Sequence, residues 1–543
     1  MRRAALAASY LAAVLVAAPA HAVPEPRLVP LVTALKWPGV SEMIGYRGRL
    51  WFVNSVKFVN HNSADLYSYD PARGKARFEK HLFSQDAGTP AVVGGLLYWP
   101  FEDSRFSPGH GEFMVTDGVR WQWRLIPPGR AFHAHAMAAH GGALFAATSA
   151  WRARVVRSDD GGVSWRQVYS HDTPKRRVSR ITALAGLDGT LYAGLTTWYD
   201  DTAPKLLRWT GATFAPVPDW PAGSAVRALA SYGGWLYGEN SAGEGSALWR
   251  TDRRRSERIA ALDGHVIQDI AAGPDALWAV SRAKGGGRLW RSADGVRWTR
   301  IQAFETGRPL DVAVLGGDVY VGLMSEAGGE LWGPATAELR ASTSTPLPGP
   351  APTLPADDPA PLPPELLKHA LAALDKALGG TKLSRDFRRM VQPFATSRAA
   401  AAGAALSERL ANGRFPGAET SMIGGNLVVP AADVARWYLM WGMAHSGGGR
   451  VPPELVGAPW TAQPNRAEKY MDPTPAAAWA MARLGQNDPA TLAALIGRLG
   501  REGDPDWLTG DLVGALADLT GRRFGYDIEA WRRWWRARKA GRR

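Results

Sequence analysis

A short unit recurs seven times in the first 320 residues and constrains the fold more than any other feature. It consists of glycine or aspartate-glycine, a variable residue, an apolar residue and an aromatic. It reads Gly48-Arg49-Leu50-Trp51, Gly95-Leu96-Leu97-Tyr98, Gly142-Ala143-Leu144-Phe145, Gly189-Thr190-Leu191-Tyr192, Gly234-Trp235-Leu236-Tyr237, Asp275-Ala276-Leu277-Trp278 and, after Gly316-Gly317, Asp318-Val319-Tyr320. The aromatic positions are separated by 47, 47, 47, 45, 41 and 42 residues. That period is the length of a four-stranded antiparallel unit repeated radially. Before each turn lies a strand of small and apolar residues, such as Ala136 to Ala139 and Asp311 to Val314. Small side chains suit an innermost strand crowded at a central axis, and the Gly-Gly or Asp-Gly pair supplies the positive φ angles of a tight hairpin. The expected fold is therefore an all-β, seven-bladed β-propeller.

A third strand in several units begins Leu-Tyr or Leu-Trp, as at Leu66-Tyr67, Leu248-Trp249, Leu289-Trp290 and Leu331-Trp332. After the third strand comes Ser158-Asp159-Asp160-Gly161-Gly162-Val163-Ser164-Trp165, with a shorter version from Ser292 to Trp298 and a weaker one from Thr116 to Trp121. This pattern resembles the Asp-box of the bacterial-neuraminidase-repeat propellers, Ser-x-Asp-x-Gly-x-x-Trp. The resemblance implies a structural turn on the face opposite the ligand site, with no chemistry of its own. The seventh unit loses its pattern after Trp332, and Val29 to Trp37 is assigned as the outer strand that joins the two ends, which removes an exposed sheet edge.

The flanking segments have different compositions. Arg2 and Arg3, an apolar stretch from Ala4 to Ala18 and Ala20-His21-Ala22 have the form of a signal peptide over residues 1–22, with cleavage after Ala22. Export to the periplasm or beyond the cell is the expectation. That stretch is shorter than the roughly 20 residues a spanning helix needs, and no later segment comes closer, so no transmembrane segment is expected in the mature chain. With residues 23–340 assigned to the propeller, residues 341–364 read as a Pro-rich linker without core residues. Residues 365–543 carry helical periodicity at Glu365 to Leu378, Ser397 to Ala411, Ala431 to His445, Pro475 to Leu484, Pro489 to Arg501, Asp506 to Leu519 and Ile528 to Lys539. Short helices at close intervals suggest stacked pairs. The ending Leu519 to Asp527 with Trp531, Trp534 and Trp535 resembles the close of exported HEAT-like repeat proteins. Ile528, Trp531 and Trp535 make one stripe, expected to pack inward with the arginines solvated; the other reading is a membrane-surface helix.

The chain has no cysteine, which excludes disulfides, thiolate metal sites and a cysteine nucleophile. The formal charge of +14 favours an anionic partner such as an acidic envelope surface, or else reflects an arginine-rich composition; export argues against nucleic acid. No Gly-rich phosphate loop, His-Glu-x-x-His helix or Gly-x-Ser-x-Gly elbow occurs.

Connections from second to third strand, and from fourth strand to the next unit, share the face where propellers usually bind ligands. There the densest group is His133 and His135 with Glu102, Asp103, His110 and Glu112. Two imidazoles and a carboxylate suffice for zinc or another divalent ion, with His133, His135 and His110 as the ligands; hydrogen-bonded structural histidines are the alternative. Trp198-Tyr199-Asp200-Asp201 joins an aromatic platform to two acids, as carbohydrate sites do, or is an ordinary exposed loop. Arg180 and Arg227 begin innermost strands, but two arginines do not make the carboxylate-holding triad of sialidases, whose N-terminal Arg-Ile-Pro is also missing. Glu102, Asp103 and Asp201 could compose a glycosidase pair. The first reading is an exported binding or scaffold protein whose propeller face recognises a glycan or protein. The alternatives are a carbohydrate-active hydrolase or lyase, and a metal-dependent enzyme centred on His133 and His135. No cofactor is called for beyond a divalent metal in that last case.

Overall fold

The computed structural model describes residues 27–57, 63–104, 106, 110–127, 131–242, 245–335, 354, 363–380, 383, 387–396, 400–416, 419–422, 427–457 and 472–541. The expected signal peptide lies outside them, as does most of the expected linker.

From Leu28 to Pro334 the chain forms consecutive groups of antiparallel strands, a β-propeller-like arrangement. The first group is Gly39–Tyr46, Arg49–Ser55, Ala64–Asp70 and Lys75–His81, paired in chain order. Similar runs follow, such as His133–His140, Ala143–Ser149, Ala153–Ser158 and Arg166–Ser170. The hairpin between the first two strands of that run is turned by Gly141 and Gly142 at φ 57° and 77°, left-handed values that glycine adopts without steric cost. The final run, Arg308–Leu315, Asp318–Met324 and Glu330–Pro334, receives Leu28–Val32 as an antiparallel neighbour of Glu330–Pro334.

The aspartates of the Ser-Asp-Gly turns act on their own backbone. Asp160 Oδ1 accepts from the amides of Val163 and Ser164 at 3.0 and 2.9 Å, and Asp294 Oδ1 from those of Val296 and Arg297 at 2.9 and 2.8 Å. The amides of Arg297 and Val296 hold the Asp294 carboxyl below the usual carboxylate range. Trp165 covers its turn, donating to the Gly162 carbonyl at 3.2 Å and meeting Phe113 edge-on at 5.8 Å. Unit aromatics reach between strand groups: the Tyr98 hydroxyl donates to the Gly161 carbonyl at 3.3 Å.

One irregularity recurs. The innermost strands shift register between Ser41 and Ile44, Ala134 and Ala136, Ile181 and Ala183, Val226 and Leu229, Ile267 and Asp269, and Pro309 and Asp311. In the second group the innermost strand is broken instead into Ser84–Ala87 and Ala91–Val93. Each bulge re-aims a side chain that regular alternation would have buried between sheets. Polar side chains gather at the axis for this reason.

Beyond Pro363 the described residues contain nine helices and a hairpin of Glu419–Met422 with Leu427–Pro430. Expected helices are found at Pro364–Leu378, Ala400–Asn412, Ala431–Ser446, Pro473–Arg483, Pro489–Arg498, Asp506–Thr520 and Ile528–Ala540. Asp472 and Asp488 cap the helices that start with the prolines after them, accepting from Thr474 N and from Ala490 N and Thr491 N. Phe387–Thr396 was not expected, because Pro393 inside it reads as a breaker. Trp531 and Trp535 are buried, and Trp531 Nε1 donates to the Gly525 carbonyl at 2.9 Å, so the stripe packs inward. Leu354 departs from the linker expectation: it packs against the core cluster that includes Val93 and Trp165, having an apolar seat within reach.

The helical region is docked on the first two strand groups, and one continuous apolar core holds Trp51, Phe83 and Trp99 together with Trp437, Trp479 and Trp531. Asp506–Thr520 lies along Lys75–His81, the edge strand of the first group, and so covers an edge that would otherwise be open to pairing. At the centre of this seam His81 Nδ1 is 2.7 Å from Asp65 Oδ1, and Nε2 is 3.0 Å from Asp511 Oδ1. Burial opposes the imidazolium, but hydrogen bonds to Asp511 and Asp65 push its pKa up to about 9. Trp37 Nε1 and the Tyr526 hydroxyl both donate to Asp65 Oδ2 at 2.7 Å. Gly514 permits this approach, since a Cβ there would lie 2.4 Å from that of His81. Lys80 with Asp518 and Arg523 with Glu79 add ion pairs at the same seam.

Candidate functional site

The bulged innermost strands enclose an axial cavity of about 560 Å³ lined by Glu42, Lys57, Thr89, Thr182, Arg227, Gln268, Asp269, Arg282, Arg308 and Asp311. A second cavity of about 380 Å³ shares Glu42, Lys57, Thr89 and Thr182 and continues to Asp86, Glu102, His135 and Arg180. The smaller lies toward the end of the innermost strands where the second-to-third-strand connections emerge, and the larger runs along those strands as far as Gly45, Ala271 and Val314. The Ser-Asp-Gly turns occupy the opposite end.

Most acids in these cavities are committed to neighbours. Lys57 Nζ pairs with Asp86 and lies 3.9 Å from Glu42 Oε1. Burial pushes the Glu42 carboxyl up to about 8, with Lys57 pulling it back and Asp311 adding to the rise. Asp311 Oδ2 accepts from the Met43 amide at 2.9 Å and Asp269 Oδ2 from the Val312 amide at 3.1 Å, so each aspartate satisfies a donor at the bulge of the next innermost strand. Burial and the adjoining Asp269 push the Asp311 carboxyl well above the usual carboxylate range, while burial moves Asp269 up to about 6.

The sequence candidates divide. Glu102, His135 and Arg180 come together: Arg180 Nη1 is 2.9 Å from Glu102 Oε1, and His135 Nδ1 is 3.9 Å from the same oxygen. His135 Nε2 is 2.8 Å from Ser149 Oγ, and the His133 and His135 rings stack at 5.3 Å. Burial lowers both imidazoles, to about 2 for His133 and about 3 for His135, with Arg180 adding to the fall, so both are neutral. Asp103, at φ 59°, is pushed up to about 6 by burial and by Glu102. Arg227 lines the larger cavity across Thr182. Trp198 lies under Arg180, with the guanidinium 5.5 Å from its ring.

Other candidates lie elsewhere or serve the loop itself. Tyr199 meets His171 Nε2 at 3.2 Å, and Asp200 binds Thr202 and Lys205, which closes its own loop. Asp201 is exposed. His110 does not join His133 and His135. Its Nε2 is 3.3 Å from Gln392 Nε2 on Phe387–Thr396, and burial with the nearby Arg388 lowers its pKa to about 4. Among the described residues no three histidines or acids are arranged to hold a metal ion. The cause is the helical region, which claims the loop after Ser104: Phe106 stacks on Trp479 at 4.5 Å and Trp437 at 5.8 Å, and His445 reaches its carbonyl.

The order of strands places Lys57 and Arg282 on the ligand face, but sequence reasoning missed Glu42, Gln268, Asp269, Asp311 and Arg308 as cavity residues. The available signal was a charged or amide residue inside an otherwise small, apolar innermost strand. Sequence reasoning placed the connection from Ser149 to Arg152 on the ligand face without singling out Trp151. Among the described residues Trp151 and Trp198 are the exposed aromatics, at 65% and 58% exposure. They occupy equivalent connections in adjacent strand groups, and the Trp151 carbonyl accepts from the Ser179 amide at 3.0 Å, one residue before Arg180.

A family model described as outer membrane protein assembly factor BamB matches residues 36–193, the first three strand groups and the start of the fourth. No curated protein matches the sequence. Among solved structures, the β-propeller domain of the Trilobed protease from Pyrococcus furiosus is 12% identical, covering 55% of this chain and 96% of its own, with a TM-score of 0.40. The WD40 β-propeller domain of Doa1 is 10% identical, covering 56% and 96%, at a TM-score of 0.41. The GH74 enzyme of Niastella koreensis is 14% identical at a TM-score of 0.41; the match covers 56% of this chain and 53% of that enzyme.

Proposed function

We propose that this chain is an exported envelope protein that binds a glycan at the mouth of its axial cavity. In this reading residues 1–22 direct export, and residues 23–340 form a seven-bladed propeller closed by Leu28–Val32, with turns of the Asp-box type. Residues 341–364 link it to a helical, HEAT-like domain that offers a second interaction surface. The seven sequence units and the pairing of Leu28–Val32 with Glu330–Pro334 support that architecture.

The observation that carries the ligand reading is the position of Trp151 and Trp198. Protein aromatics of this size are usually covered, and here exposed Trp198 lies against Arg180 beside a polar cavity, with exposed Trp151 in the equivalent connection of the adjacent strand group. Flat apolar ring faces next to convergent hydrogen-bonding groups suit sugar rings, which offer both C–H faces and hydroxyls. Isothermal titration of the full chain against a panel of oligosaccharides tests this. At least one should bind saturably, and Trp151→Ala and Trp198→Ala should each weaken it about 10-fold or more, in line with about 1–3 kcal/mol for a lost aromatic contact. Binding indifferent to both tryptophans would refute the assignment.

A hydrolase reading has one observation in its favour. Glu102 is paired with Arg180 while the adjacent Asp103 holds its proton up to about pH 6, which separates a base from an acid. Turnover of a bound oligosaccharide, lost in Asp103→Asn, would establish it.

A further inference from the structure

We propose that the ligand is anionic, and that Arg227, Arg282 and Arg308 form the cradle for its carboxylate or sulfate groups. The inference rests on the glycan reading for its saccharide and on separate residues for its charge.

The three arginines come from three consecutive strand groups and line one cavity. Arg308 is held in place by Gln268, whose Oε1 accepts from Nε at 3.3 Å and Nη2 at 2.8 Å. Gln268 is the residue displaced by the bulge between Ile267 and Asp269, so backbone irregularity positions the amide that orients the guanidinium. Arg282 is exposed, and its guanidinium makes no hydrogen bond or ion pair among the described residues. Burial and the charge of Arg282 both depress the Arg308 pKa, which places the two guanidiniums close enough to repel. Arg227 has Glu239 as its neighbouring acid, and burial raises that carboxyl toward the neutral form.

The cavity acids do not relieve this repulsion. Asp269 and Asp311 are engaged with each other and with backbone amides, and Asp86 and Glu42 with Lys57. The larger cavity is lined by Lys57, Arg227, Arg282 and Arg308 against Glu42, Asp269 and Asp311, and the pKa values of Glu42 and Asp311 are raised, so it carries more positive than negative charge. Guanidiniums lining one cavity are the arrangement that binds carboxylate and sulfate oxygens, often two at a time. An acidic saccharide satisfies both parts of the site. Its ring faces meet Trp151 and Trp198, and its anionic groups reach the arginines.

The test uses the full chain with four probes: hexagalacturonate, its methyl ester, cellohexaose and a sulfated heparin-derived hexasaccharide. Free glucuronate and inorganic sulfate serve as the anions alone. Hexagalacturonate or the sulfated probe should bind at least 10-fold more tightly than the neutral pair, and whichever wins identifies the anionic group. Arg282→Gln and Arg308→Gln should remove that preference, and Arg297→Gln, in a turn on the opposite face, should not. Arg282→Lys should recover only part of it. Equal binding of galacturonate and its ester would overturn the proposal while leaving the glycan reading intact. Arginine-dependent binding of glucuronate or sulfate, with no oligosaccharide bound, would sustain the anion cradle and remove the glycan reading. Absence of binding by every anion would overturn the proposal.

Discussion

The seam around His81 and the axial cavity around Arg282 are both built from ionisable side chains, yet they are completed in opposite ways. At the seam, Asp65 and Asp511 flank one imidazolium, and Trp37 and Tyr526 take up a further carboxylate oxygen. Charges there are buried because their partners are present within the chain. At the cavity the acids are engaged with Lys57, with each other and with backbone amides, and the charge of Arg282 acts on Arg308. The first arrangement fixes two regions together, and the second leaves electrostatic free energy to be released when an anion arrives. Ionisable side chains at one place in a molecule can thus be structural while, in the account proposed here, those some strands away await a ligand.

The contrast is most strained by deleting a partner at the seam. Asp511→Ala leaves the His81 imidazolium buried with a single acid, and should destabilise the protein by about 3–5 kcal/mol, the range for a broken buried pair. Urea unfolding followed by tryptophan fluorescence measures it, and a loss under about 1 kcal/mol would mean the seam is not held by charge.

Titration gives the next largest effect. His81 has an ordinary pKa of 6.5 and about 9 in the folded protein, so its contribution is fully present below pH 6.5 and is lost as pH rises through 9. The shift corresponds to about 3 kcal/mol. The melting temperature should fall across that window in the parent and fall less in His81→Gln; parallel profiles would contradict the assignment.

The smallest effect is expected at the cavity mouth. Trp151→Ala, Trp198→Ala and Arg282→Gln remove exposed side chains, and each should change stability by no more than about 0.5 kcal/mol. A larger loss in any of them would give that residue a structural role and blur the distinction between the two regions.

The propeller-like strands were legible because their signals are local. Gly141-Gly142 dictates its hairpin, and Ser158 to Trp165 dictates a turn whose aspartate binds its own amides. The Trp531 stripe was legible for the same reason, as a periodic pattern on one helix. The cavity was only half legible. Arg180, Arg227, Glu102 and His135 could be placed near it from the strand order, but the register shifts that aim Glu42, Thr182 and Gln268 at the axis leave little trace in sequence. The fate of His110 was not legible at all. It depends on a helix with an internal proline, Pro393, packing against a loop some 280 residues earlier in the chain, with Gln392 282 residues from His110. The His81–Asp511 contact likewise spans 430 residues.

The most direct test of the central claim is hydroxyl-radical footprinting of the full chain, read by mass spectrometry, with and without saturating hexagalacturonate or its sulfated counterpart. The account predicts that Trp151 and Trp198 are oxidised readily in the free protein and are both protected in the complex, with Val119 and Val296 on the opposite face unchanged. Binding that leaves both tryptophans as reactive as before would contradict it.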